Sequence, residues 1–158
     1  MKHPGMTEIV RNTARMLTGF IVLFGVYIAA TGHISPGGGF AGGVILAAAG
    51  VLVVLAFGRT VVTGQLTEDK CHIWDAAGAL GFLAIALLGF LAGGFFINFV
   101  NTMAGEENVA LNVHKLMSGG MVPLANLAIL VKVGAALLGA FLALSLYRSA
   151  SPRAETKL

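Results

Sequence analysis

The chain has 158 residues, 57% of them hydrophobic and only 11% charged, with a mean hydropathy of +0.88. That balance excludes a water-soluble globule of ordinary make-up and reads as an all-α integral membrane protein. The formal net charge of +3 does not point to nucleic acid, because the basic residues stand at the ends of apolar spans and form no patch.

Glycine supplies 22 of the residues, about twice the usual ~7%. In a bilayer, small residues let helices touch backbone to backbone where lipid offers no hydrophobic drive, so close helix packing is expected. Cys71 is the only cysteine, which excludes an intrachain disulfide. The pair Cys71 and His72 lacks the further ligands of a zinc site, so the sequence calls for no metal, no cofactor and no catalytic residue.

Four segments are long enough to span a hydrocarbon core: 14–31, 40–57, 75–100 and 122–147. Residues 1–147 form one membrane domain, and 148–158 a polar tail. The first segment has the basic edge and small residues that could open a secretory signal. It leads through a short loop to a second span, and so reads as an uncleaved helix. Gly25 and Ala29 give it a small face.

The loop that follows, GHISPGGGFAGG from Gly32 to Gly43, fixes a turn at Pro36 and bares the backbone at Gly37, Gly38 and Gly39. Gly37, Gly39 and Gly42 formally match G-x-G-x-x-G. A dinucleotide site is excluded because no strand precedes them and no acidic residue lies about 20 positions on. Gly42, Gly43, Ala47 and Gly50 instead form a small face on the second helix. His33 titrates near neutral pH, and is either a proton relay or a turn-stabilising residue.

The third span is expected to start inside the loop 58–73, with Thr67 as N-cap and Glu68 and Asp69 in the first turn. Trp74 marks the membrane interface. Asp75, placed by this register near the cytoplasmic end, either gathers cations or trims the helix dipole. Gly89 and Gly93 form a G-x-x-x-G packing pair. The loop 101–121 holds Glu106, Glu107, His114 and Lys115 and has room for a short interfacial helix, and Pro123 opens the fourth span.

Lys132 is the sharpest single residue. It lies ten residues from Val122, about 15 Å from the nearer end of the span, too deep to snorkel. Ala125, Ala128, Ala135, Ala136, Gly139 and Ala143 surround it at three- and four-residue spacing, so this stripe is expected to face a neighbouring helix. Either the lysine stands in an ion path or it fixes assembly by pairing with a carboxylate. No carboxylate of this chain is well placed on sequence grounds, so the counter-ion is expected on another protein of an assembly.

Lys2, Arg11, Arg15, Arg59, Lys70, Arg148, Arg153 and Lys157 fall on one side of a four-span topology, against Lys115 on the other. The positive-inside rule puts both termini in the cytoplasm of a multi-pass cell-membrane protein.

The run GHISPGGGFAGG, after FGVYIAA and before a helix ending in AFG, resembles the MnhB-type component of the multi-subunit Mrp-type (Mnh-type) sodium/proton antiporters. PLANLAILVKVGAALLGAF, from Pro123 to Phe141, looks like the branch whose fourth helix carries a lysine, which includes subunits of membrane-bound hydrogenases and related respiratory complexes. On this resemblance His33, Pro36, Gly37, Gly38, Gly39, Phe40, Gly42 and Gly43 match the loop motif and Lys132 the fourth-helix motif, while Ala41 departs from it. The resemblance implies an accessory subunit of a cation/proton antiporter complex, alongside large complex-I-like subunits, with Na+ and H+ as the ions moved. The alternatives are the same module within a hydrogenase or other respiratory oxidoreductase, and a purely structural subunit. In either transport setting the chain is non-catalytic.

Overall fold

The structure is a computed structural model and describes residues 6–58, 67–98, 100 and 119–150. Four long helices account for nearly all of it: α1 (Glu8–Thr31), α2 (Gly39–Phe57), α3 (Glu68–Leu88), continued by a 3-10 turn over Gly89–Ala92, and α4 (Val122–Ala150). No strand occurs among the described residues. All four helices are long and apolar enough to cross a membrane, as the hydropathy of the sequence requires.

The helices form a row in the order α1, α2, α4, α3. α1 packs on α2, α2 on α4 and α4 on α3, with a lesser contact between α1 and α4. Paired residues give the directions. Gly25 of α1 meets Gly42 and Ile45, and Ala29 also meets Gly42, in the sense of an antiparallel hairpin of α1 and α2. Gly43 meets Leu130 and Val133 while Gly50 meets Leu138, so α2 and α4 run parallel. Gly78 meets Ala128 and Lys132 and Gly139 meets Cys71, so α3 and α4 run antiparallel.

A row of helices that are apolar nearly all round buries little of itself, since lipid or partner protein supplies the rest of the cover. Among the described residues Leu142 is the one large side chain that is fully buried, and it packs with Val54 and Cys71 at one end. Phe20, Leu23, Phe24 and Tyr27 of α1 stand well exposed.

Small residues set the spacing, as expected on α1 and α2. Ala29 is fully buried, and a Cβ on Gly43 would lie 2.7 Å from Val133 Cβ. The third span needs two corrections. It ends at Ala92, short of residue 100, because Gly93 takes a left-handed backbone (φ 108°) and turns the chain back on itself. Phe96 N–H then donates to Ala86 O at 3.2 Å, and the Phe82 and Phe96 rings lie 5.6 Å apart. Gly93 has nothing within 4 Å of its Cβ position, so it is a turn residue and not half of a packing pair. The close-contact glycine of α3 is Gly78, whose Cβ would sit 2.7 Å from Lys132 N.

The stripe expected on the fourth helix also divides. Ala128, Lys132 and Gly139 face α3, whereas Ala136 and Ala143 are exposed. Pro123 occupies the first turn of α4, where its missing N–H costs nothing. The expectations for the loop 101–118, including Glu106, Glu107, His114 and Lys115, and for the tail 151–158 lie outside the described residues, as do Lys2 and Arg59.

Candidate functional site

The depth of Asp75 decides the character of the site. Cys71, one turn before it, packs with Val54 of α2 and opposite Gly139 of α4. Four residues further along α3, about 6 Å, bring Asp75 level with the middle of α2. Gly78 lets α3 approach α4 so closely that its Cβ position meets Lys132 N, Lys132 Cβ and Ala128 O at 2.7, 2.8 and 2.9 Å. Lys132 therefore springs from the contact itself, and its side chain spans the remaining turn.

Lys132 Nζ donates to Asp75 Oδ1 at 2.7 Å. This overturns the expectation that no carboxylate of the chain could serve the lysine. Counted from the start of its own span, Asp75 stands at the membrane edge, but the contact of Gly78 with α4 sets that turn of α3 at mid-bundle. Trp74, the preceding residue, lines a cleft that neither Asp75 nor Lys132 borders.

The pair is not enclosed. The lysine side chain is 46% exposed and the aspartate 32%. A charge at a helix centre in hydrocarbon costs at least ~2.5–3.5 kcal/mol, and pairing does not remove the cost for the faces left open. The open side thus calls for water or for polar groups of another protein. Chemically, a carboxylate and an ammonium in contact can exchange a proton, or the carboxylate can release the ammonium for a cation.

The glycine-rich run performs a different task. Thr31 O accepts from Ile34 N and Ser35 N, both at 2.9 Å, closing α1 into a tight hairpin. Gly38 has φ 105°, a conformation that side chains resist, and caps α2. Gly38, Gly39, Gly42 and Gly43 are buried, whereas Pro36, Gly37 and Phe40 face outward. A Cβ on Gly39 would collide with Asn126 O of α4, and one on Gly32 would lie 3.0 Å from Asn126 Nδ2. What approaches the bare backbone is α4 of the same chain.

His33 lies on this hairpin, away from the ion pair. Its ring packs under Gly119, whose Cβ position is 2.9 Å from the imidazole, and both ring nitrogens are shielded with no partner among the described residues. The sequence-derived candidates thus separate into Asp75 with Lys132 at mid-bundle, and His33 at the hairpin end. Two residues escaped the sequence reading, Gly78 and Asn126. A polar amide inside an apolar span was the available signal for Asn126, and the G-x-x-G of Gly78 and Gly81 for the first.

Residues 9–139 match the family described as a domain related to the MnhB subunit of Na+/H+ antiporter. The chain belongs to this MnhB-related family. Among its relatives, an uncharacterised protein of Methanocaldococcus jannaschii is 33% identical over 133 residues, 83% of this chain and 49% of that protein. The MnhB-type Na+/H+ antiporter subunit of Bacillus subtilis is 36% identical over 90 residues, 56% of this chain and 60% of that one. In the solved structure of the membrane-bound sulfane sulfur reductase, an archaeal respiratory membrane complex, one chain superposes with a TM-score of 0.70 and 32% identity. That match covers 89% of this MnhB-family chain and 60% of its counterpart. The chain thus spans about half to three-fifths of the length of these relatives.

Proposed function

We propose that this MnhB-family chain is an accessory subunit of a multi-subunit cation/proton antiporter complex, exchanging Na+ for H+, and that Asp75 and Lys132 form part of an ion route at an interface with a neighbouring subunit. The observation that carries this reading is the half-open ion pair at mid-bundle. Intramembrane ionisable groups face a protein interface or a water-filled cavity, and they mark ion and proton paths. One pair is too little for a complete transmembrane relay, so the remaining groups belong to partners, including large complex-I-like subunits. The similarity to a Na+/H+ antiporter subunit supports the same reading.

The glycine hairpin shapes the bundle in this scheme. His33, at the hairpin end, serves as a candidate for the outer portion of the route. The distribution of Lys and Arg supports cytoplasmic termini in the cell membrane.

A second reading places the same module in a respiratory oxidoreductase, and the likeness to a chain of an archaeal respiratory membrane complex favours it. Any redox centre would then belong to partners, because one cysteine cannot hold a cluster. Isolation of the native complex and identification of its subunits separates the two. The test of the ion route is Lys132→Ala in the assembled complex: coupled ion movement should fall with the complex intact, and normal coupling would leave the chain only a structural role.

A further inference from the structure

Two cavities meet on the face of the helix row where Trp74 stands. The first is an apolar cleft of about 400 Å³ lined by all four helices, with Thr18 and Val22 of α1, Val53 of α2, Trp74 of α3 and Leu138 of α4 among its walls. The second, about 370 Å³, is polar and is formed by Glu8, Arg11, Asn12, Arg15 and Phe57. They are continuous along two helices. On α1, Arg11, Arg15, Thr18 and Val22 follow one another at four-, three- and four-residue spacing, which is one face. On α2, Val53 and Phe57 are one turn apart, so the polar pocket caps the end of the apolar cleft.

The polar pocket is suited to an anion. Arg15 lies over the Phe57 ring at 5.5 Å, which holds its guanidinium at the mouth of the cleft. Arg11 Nε is shielded from solvent with no acceptor among the described residues. Glu8 offsets one of the two positive charges, leaving a net positive mouth above an apolar trough. That combination matches an amphiphile with an anionic head, and a cleft of this volume is too small to admit a helix of ~10–12 Å diameter.

We infer that this cleft is a binding site for one anionic phospholipid, its acyl chain lying against Trp74 and its phosphate held by Arg11 and Arg15. The lipid comes from the leaflet on the N-terminal side, and the site is independent of the Asp75–Lys132 pair, which does not border the cleft.

Trp74 is the only tryptophan and reports on the site directly. The full-length chain is reconstituted in phosphatidylcholine nanodiscs carrying a minor fraction of either dibrominated phosphatidylglycerol or dibrominated phosphatidylcholine, and Trp74 quenching is measured. The anionic lipid should win by roughly five-fold, the value of one uncompensated basic charge at a membrane surface. Arg11→Gln with Arg15→Gln should equalise the two lipids, while Arg11→Lys with Arg15→Lys keeps the preference and Glu8→Gln enlarges it. Equal quenching by both lipids in the unaltered chain, or a preference that survives the double glutamine substitution, would overturn the site. Inaccessibility of Trp74 to both lipids would overturn it too, in favour of a cleft filled by protein.

Discussion

Asp75→Asn removes one charge from the middle of the bundle and leaves its partner behind. Asn keeps the size of the side chain and can still accept a hydrogen bond from Lys132 Nζ, which lies 2.7 Å from Oδ1 of the aspartate, so packing around Gly78 should not change. What changes is the ammonium, which stands 46% exposed and without a counter-charge. An unpaired lysine at this depth costs roughly 2.5–3.5 kcal/mol on insertion scales, or about two orders of magnitude in the folded ratio. Lys132→Met alone strands the aspartate at a similar cost. The double substitution strands neither charge and should recover most of the loss, which makes the coupling energy the decisive quantity.

Thermal unfolding of the purified chain in detergent, followed for the two single variants, the double variant and the parent, gives that energy directly. A coupling of about 2 kcal/mol is expected. Additive single effects, with a coupling below about 0.5 kcal/mol, would refute the placement of the pair in a low-dielectric setting. The same double variant, stable but uncharged, should assemble and yet fail to support coupled ion movement.

Three further outcomes follow from the packing. Gly78→Ala drives a Cβ to 2.7 Å from Lys132 N, so α3, whose main neighbour is α4, should loosen by about 1–3 kcal/mol; Gly19→Ala, which meets nothing within 4 Å, should be neutral or stabilising in the same unfolding assay. Gly38→Leu places a bulky side chain at φ 105° near Asn126 and should prevent stable assembly, read as co-purification with partner subunits. His33→Leu fills the space under Gly119 and should leave assembly intact; if His33 carries protons, the pH dependence of transport shifts, and an unchanged profile assigns it to packing alone.

The four spans were readable because hydropathy and length act on each helix separately, as lipid does. The small faces of α1 and α2 were readable for the same local reason, since Gly25, Ala29, Gly42 and Gly43 recur at helical spacing. Where sequence patterns misled, the deciding quantity joined two segments. Gly89 and Gly93 have the spacing of a packing pair, yet Gly93 meets no neighbour and turns the chain, ending the third span at Ala92 instead of the expected limit at 100.

The sequence by itself determined that this protein lies in a membrane, how many helices cross it, that Lys132 must be shielded from lipid, and that the run from Gly32 to Gly43 must admit a close neighbour. Each follows from the chemistry of one segment against hydrocarbon. Only the tertiary structure decided who the neighbours are: Asn126 against the glycine hairpin, and Asp75 against Lys132. Those pairings depend on the relative depth of two helices, which is set by the contact of Gly78 with the backbone of α4. No pattern within either helix encodes an offset between them.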